Sequence, residues 1–472
     1  MEFSAAGRDY YKKLFGILEK HWIEDPRDGY RKGMNAHGYT KYEQEAVNLL
    51  AKEALEQGFQ VFSDLAGNLY VYMEGKDPNA KAIVMGSHVD SVRGGGRYDG
   101  RSGVVAGLTT MKMIKDSGEI PPQGLCTMIC RCEESDVYGQ VSIGAKLALN
   151  DIDLQKLLTL VNNVDGQTLL THMLKNGIDT AQLIDAIKAR DNTMFPVAEC
   201  ACFLEIHPEQ AASLRDGVDT PEGAVGMVDG IRGNIRFNPV TFTGRAGHSG
   251  ALEQIERLDA NRISAHFTTR FYEEMGKITK SGKDAVYHTR QAGVSATSGF
   301  TTISDKEGIA IEVRSVEIEV LNEVKELLER LKQEVEEHFK VKIGPATFKS
   351  DITIPKPTLS KPAQLNNFPA VRDALDKAAG ELGVKRKTMK SGAGHDAAVF
   401  ANAGVPTGFL FVRDIAGESH VPHELIDFES FENTINIAHR FAMTGLEPSR
   451  PTNSKHSFTD RLLAQGASRV RQ

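Results

Sequence analysis

The order of apolar and polar positions predicts helices alternating with strands. In TKYEQEAVNLLAKEALEQGF apolar residues recur at the spacing of a helix that buries one face, and the run stops at Gly58. QVFSDLAGNLYVYMEG alternates instead, which predicts two strands joined by a turn at Ala66-Gly67-Asn68. KAIVMGSHVD and LCTMICRCEESD are short apolar strands that run into polar, acidic ends, with the helical VVAGLTTMKMIKDSG between them. Residues 150–195 are helical and polar, and ACFLEIHPEQ is again strand-like. This order predicts an α/β fold with a mixed, mostly parallel sheet. In such sheets functional groups collect at the carboxyl ends of the strands.

Near residue 225 the texture changes. VGMVDGIRGNIRFNPVTFTG predicts a strand pair, RLDANRISAHFTTRFYEEMGK a helix and IAIEVRS a strand; LNEVKELLERLKQEVEEHFK follows as an amphipathic helix, then KIGPATFKSDI as a strand. This block predicts a smaller α+β domain over residues 217–352, inserted into a larger domain of 1–216 and 353–472. A length of 472 residues independently suggests two domains. The α/β pattern resumes at PAVRDALDKAAGEL and PTGFLFV, and the polar tail beyond Gly445 predicts poor order.

Composition narrows the function classes. Hydrophobic residues are 40% and charged residues 25%, as in a globular enzyme. A net charge of −7 argues against nucleic acid as the main partner, since phosphate binding requires a basic surface. No apolar run is long enough for a membrane span. The charged first residues do not form a signal peptide, and five cysteines do not fit a disulfide framework, so a cytoplasmic location is expected.

Candidate chemistry lies at the predicted strand ends. GSHVDSVRGGGRYDG carries His88, Asp90 and Asp99, and imidazole and carboxylate are the usual ligands of a hydrolytic zinc-type ion. Asp90, two residues from His88, is placed to orient its ring. Gly94-Gly95-Gly96 allows a sharp turn that returns Asp99 to the same place. Glu133 and Glu134 follow an apolar strand; adjacent buried acids repel unless one binds metal and the other serves as general base. His207 in FLEIHPEQ and His420 in GESHVPHE end apolar runs, and His248 in GRAGHSG and His395 with Asp396 in SGAGHDA sit in small-residue loops. Each feature alone also suits a solvated acidic loop or a structural histidine. Cys130, Cys132, Cys200 and Cys202 alternate along two strands, which fits core packing better than a thiolate site.

Taken in order, GSHVDSVRGGGRYDGRSGVVAGL, EES, LEIHPEQ, FTGRAGHSG, SGAGHDA and SHVPHE resemble the hydantoinase/carbamoylase group of amidohydrolases, within the dinuclear-metal aminoacylase and carboxypeptidase superfamily. The resemblance runs from about residue 35 to 440. It implies a metallopeptidase-like catalytic domain with an inserted lid and dimerisation domain. It also implies two divalent ions, whether zinc, manganese, cobalt or nickel. By the same resemblance His88 and His207 hold one ion, Glu134 and His420 the other, and Asp99 bridges both. Glu133 is the implied general base toward a metal-bridging hydroxide, and Asp90 orients a ligand. Gln210, Arg314 and His395 are the implied substrate contacts. His248 is expected to act in the site of the partner subunit of a homodimer. The implied reaction is hydrolysis of a linear amide C–N bond in an N-carbamoyl amino acid or related ureido acid. An aminoacylase or dipeptidase on the same scaffold is the alternative, and a ligand-binding relative without activity a more distant one.

Three stretches depart from the family pattern. SGALEQIERLDA follows His248, SATSGFTTISDKEG lacks the usual asparagine, and SDVYG follows the acidic pair. The first two fall on substrate recognition, so the hydrolytic core is expected intact and the substrate altered.

Overall fold

The computed structural model describes residues 3–24, 31–189, 193–215, 220–294, 299–343, 345–446 and 456–471. The chain divides into two compact units, Met1–Gly230 with Gln364–Gln472, and Ile231–Ala363. The expected boundary at 216/217 lies outside the described residues, as do residues 295–298 of the SATSGFTTISDKEG run.

The first unit is built on a mixed sheet. Its centre is parallel, in the order Thr407–Val412, Cys200–Pro208, Ala82–His88, Leu125–Cys130. These strands are buried on both sides, which explains their unbroken apolar runs. Antiparallel strands flank the centre. Leu69–Met73 and Gln60–Ser63 form the expected hairpin, with Gly67 in the left-handed region at its turn. On the other side Val225–Ile231 pairs antiparallel with Thr407–Val412.

Helices cover the sheet, either through one apolar stripe or, for residues 101–111, buried on every side. Lys41–Glu56 ends at the expected place and buries Val47, Leu50 and Ala54. Arg101–Ser117 lies so close to the sheet that a side chain on Gly103 would strike the Ile206 carbonyl. The five cysteines are free and buried, as core residues.

The second unit has its own core. Lys306–Ser315 lies between Val286–Val294 and Gly233–Thr243, all antiparallel, and Asp351–Thr353 and Thr358–Ser360 pair with the far edge of Gly233–Thr243. The amphipathic helices Ala260–Lys280 and Ile318–His338 bury Phe267, Phe271, Leu328 and Leu331 with Ile235, Phe242 and Val313 of the sheet.

Two expectations need correction. VGMVDGIRGNIRFNPVTFTG does form two strands, but they do not pair with each other. Val225–Ile231 belongs to the first sheet and Gly233–Thr243 to the second. Their burial patterns differ accordingly: the first strand is almost continuously buried, the second alternates. The tail beyond Gly445 is also not uniformly unstructured. Phe458–Ala464 is a helix started by a Ser457/Asp460 capping box, and Ser468–Arg469 adds to the edge strand Gln60–Ser63. Phe458 supplies the apolar anchor, stacked on Tyr72 at 5.9 Å and edge-on to Phe195 at 6.0 Å.

Phe458→Ala is therefore expected to destabilise the first unit by about 3 kcal/mol. Trp22, the only tryptophan, lies in that unit, so urea unfolding followed by its fluorescence measures the change. An unshifted midpoint would mean that the tail helix contributes nothing to the fold.

Candidate metal centre

The carboxyl ends of the four parallel strands converge on one acidic cluster. His88 is the last residue of Ala82–His88, His207 lies near the end of the adjacent Cys200–Pro208, and Glu133 and Glu134 follow Leu125–Cys130. His420 arrives from the loop after Thr407–Val412. Asp99 is brought back by the glycine loop, in which Gly94 has φ 69° and Gly95 pairs with Met34 through both backbone groups. Gly100, at φ 65°, must be glycine for a second reason: a Cβ there would lie 2.4 Å from the His88 ring.

Asp99 is the centre of the geometry. Its Oδ1 lies 3.0 Å from His207 Nε2 and 3.8 Å from His88 Nε2; its Oδ2 lies 3.2 Å from His420 Nε2. Glu134 meets His420 at 3.3 Å, and Glu133 approaches His88 at 4.0 Å. Ligand atoms of His88, Asp99 and His207 all fall within 4.8 Å of one another, and so do those of Asp99, Glu134 and His420. One carboxylate thus faces two ligand groups, one with each oxygen. All these residues are buried except His420, whose side chain is 49% exposed and marks the mouth of the site.

Supporting contacts orient the ligands. Asp90 lies 3.3 Å from His88 Nδ1 through Oδ1, leaving Nε2 to face the cluster. The same carboxylate accepts the Glu133 and Glu134 backbone N–H groups at 3.0 and 3.1 Å. His207 Nδ1 is 2.9 Å from the Pro208 carbonyl and donates to it, which leaves Nε2 to face Asp99. Glu424 was not singled out from sequence, although it follows directly on the SHVPHE motif's histidines and is that motif's last residue. Its Oε1 accepts the Tyr98 and Asp99 N–H groups at 2.9 and 2.8 Å, which pins the Asp99 backbone.

Other expected site residues are placed as follows. Gln210, at φ 60°, donates through Nε2 to Asp99 Oδ2 and Ser419 Oγ at 2.9 and 3.1 Å. His395 is buried against His207, with ring centroids 4.5 Å apart, and its Nε2 is 2.8 Å from Ser391 Oγ. His248 and Arg314 belong to the second unit. His248 is exposed, its Nδ1 accepting the Gly250 N–H, and Arg314 lies 3.1 Å from Glu312.

The electrostatics fit divalent cations. Burial raises Glu133 and Glu134, and nearby carboxylates, Glu134 beside the first and Asp99 beside the second, raise them further. Burial alone would lower His88, His207 and His420, but the surrounding acids outweigh it: His88 and His207 are raised, and His420 is pushed up to about 11. Nitrogen and carboxylate donors of this kind suit zinc, manganese or related ions.

The chain belongs to peptidase family M20/M25/M40, whose sequence profile matches residues 84–444. This is a family of metal-dependent hydrolases. The chain is 26% identical over 393 residues to an N-carbamoyl-L-amino acid amidohydrolase of Geobacillus stearothermophilus, covering 83% of this chain and 88% of that one. It is 26% identical over 384 residues to a ureidoglycolate hydrolase of Oryza sativa, covering 80% and 74%. Its fold is shared with a hydantoinase/carbamoylase family amidase from Burkholderia ambifaria, with a TM-score of 0.76 at 21% identity over 95% of this chain and 99% of that one.

Protons and metal ions compete for the same nitrogens. A folded-state pKa above the unfolded value means that protonated His420 stabilises the metal-free fold fully below pH 6.5, and that this is lost as pH rises toward about 11. Metal entry must displace such protons. Manganese affinity is therefore expected to be higher at about pH 8 than at about pH 6, with proton release on binding. Calorimetry in buffers of different ionisation enthalpy measures both, and pH-independent binding without proton release would contradict the assignment.

Proposed function

We propose that the protein is a two-metal amidohydrolase that cleaves a linear, non-peptide C–N bond, in an N-carbamoyl amino acid or a related ureido acid. The observation that carries this reading is Asp99, which turns one oxygen toward His88 and His207 and the other toward His420. In this reading His88, Asp99 and His207 hold one ion, and Asp99, Glu134 and His420 hold the second. When bound, the ions supply Lewis acidity, which activates water near neutral pH and polarises the substrate carbonyl.

The remaining chemistry falls to side chains. Glu133 neighbours both ligand groups without being needed to complete either, and its Oε1 is steadied by the Ser142 hydroxyl at 3.1 Å. Its buried carboxylate has a raised proton affinity, as a general base requires. Glu133 takes the proton from water as its oxygen attacks the carbonyl carbon, and passes that proton to the leaving nitrogen as the C–N bond breaks. Gln210 and His395 contact the substrate in this reading, and Arg314 binds its carboxylate. His248 donates to the developing oxyanion in the partner subunit's site, a contribution typically worth about 3 kcal/mol. The 231–363 unit is thus assigned the lid and dimerisation role. Related chains act on both carbamoyl and ureido acids, so the acyl group is assigned only to that class.

Metal-loaded protein is expected to release ammonia from at least one of N-carbamoyl amino acids, allantoate, ureidoglycolate and β-ureidopropionate, and chelator should abolish it. Amine release from N-acetyl amino acids or dipeptides, without ammonia from any ureido acid, would move the protein to the aminoacylase or peptidase side. Glu133→Gln should lower kcat by about 10²–10⁴-fold while metal content is retained. Undiminished turnover would remove Glu133 from its role.

The shared-site reading has its own test. Glu133→Gln and His248→Ala proteins, each weakly active alone, are mixed and reassembled. With His248 acting in trans, half the dimers are mixed and each has one intact site, restoring about a quarter of wild-type activity. No restoration from a mixture shown to exchange subunits would place His248 in its own subunit's site or outside catalysis.

A further inference from the structure

The loop that presents Glu133 and Glu134 is held from its far side by a buried charge pair that no motif contains. We infer that Glu43, on the first turn of helix Lys41–Glu56, is a positioning residue for the Glu133–Glu134 pair, acting through Arg131 and the backbone of Cys132. The inference rests on the metal-centre reading above.

Glu43 and Arg131 are both completely buried, at 0% and 1% exposure. Glu43 Oε2 receives Arg131 Nη2 at 2.7 Å and also the Tyr39 N–H. Glu43 Oε1 receives the Cys132 N–H at 2.9 Å. Cys132 stands at φ 52°, in the left-handed region that a residue other than glycine occupies at a cost. Burial of a charge pair is itself costly, and the cost falls as the remaining donors are met, which for Arg131 leaves Nε without a hydrogen-bond partner. Here Arg131 also donates through Nη1 to Gln44 Oε1 at 3.0 Å, and its guanidinium lies 4.8 Å from the Tyr39 ring centre.

The rest of the loop is tied in the same way. The Arg131 N–H goes to Asn68 Oδ1 at 3.0 Å, and the next three N–H groups go to Glu43 and the two oxygens of Asp90. The carbonyls of Arg131, Cys132 and Glu133 accept from Gly144, Ile143 and Ser142 at 2.8, 2.9 and 2.7 Å. Two carboxylates thus fix three successive N–H groups, and with them the backbone that carries both glutamate side chains. Glu43 supplies the end of this clamp that no ligand touches, where a change disturbs the loop without removing a ligand.

The test uses cobalt(II) as the metal probe on the full-length chain. Metal affinity is obtained by titration, ligand geometry from the visible absorption band and stability by thermal denaturation. Glu43→Gln is expected to weaken cobalt binding about tenfold or more and to shift the band, as loss of an outer support does. Leu50→Ala, a core change on the same helix, should lower the melting temperature and leave affinity and band unaltered. The double variant Glu43→Leu/Arg131→Met replaces the pair by apolar groups. It should regain stability yet keep weak cobalt binding and a shifted band, because the Cys132 N–H has lost its acceptor; it also carries the test if Glu43→Gln fails to fold. Wild-type affinity and spectrum in the folded double variant would overturn the inference. Absence of cobalt binding by the wild-type chain would instead overturn the metal-centre reading, and the inference with it.

Discussion

The constraint on which the rest depends is a concentration of carboxylates in a place with little water. Asp90, Asp99, Glu133, Glu134, Glu205 and Glu424 are all buried. Buried acids persist only when hydrogen-bonded or neutralised by positive charge. They divide by how this is met. Asp90, Glu205 and Glu424 accept backbone N–H groups: Asp90 from Glu133 and Glu134 beside its contact with His88, Glu205 from Ala397 together with the Ser87 hydroxyl, and Glu424 from Tyr98 and Asp99. Asp99, Glu133 and Glu134 face histidines, side-chain donors and one another. The first group is scaffold. The second is where cations are called for.

The sheet makes that concentration possible. Parallel strands end on the same side, so residues at the ends of Ala82–His88, Leu125–Cys130, Cys200–Pro208 and Thr407–Val412 meet without long excursions of the chain. Arg101–Ser117 packs onto the strands through Gly103 and starts immediately after Asp99 and Gly100, so one short segment carries both the central carboxylate of the cluster and the helix that anchors it.

Legibility in the sequence depends on the range of each interaction. The helices at Lys41–Glu56 and Ile318–His338 follow from local periodicity, because each buries one stripe. The clustered histidines and acids are legible because such residues at the ends of apolar strands have few other uses, and because the motif order matches a known family. The pairing of Val225–Ile231 with Gly233–Thr243 is an expectation that fails. Consecutive strands usually pair, but here the partner of each is set by distant segments. Glu43 gives no signal: an acid on the first turn of a helix is ordinarily a solvated residue that favours the helix dipole. Arg131 is hidden between two cysteines, and Glu424 lacks a partner visible in sequence. These residues act across 88 and 325 positions of chain, which no local pattern reports.

The adjacency of Glu133 and Glu134 poses a final geometric problem. On a strand, neighbouring side chains point to opposite faces, so two consecutive residues cannot both serve one site. The strand in fact stops at Cys130, and Cys132 turns into the left-handed region. Beyond that turn the Glu133 and Glu134 N–H groups converge on the two oxygens of one carboxylate, Asp90. Convergent N–H groups leave the two side chains on the same side of the chain, toward His88 and His420 respectively. The two adjacent glutamates thus face different partners as a consequence of backbone geometry held by Asp90 and Glu43, and two identical side chains are distinguished by what lies in front of each.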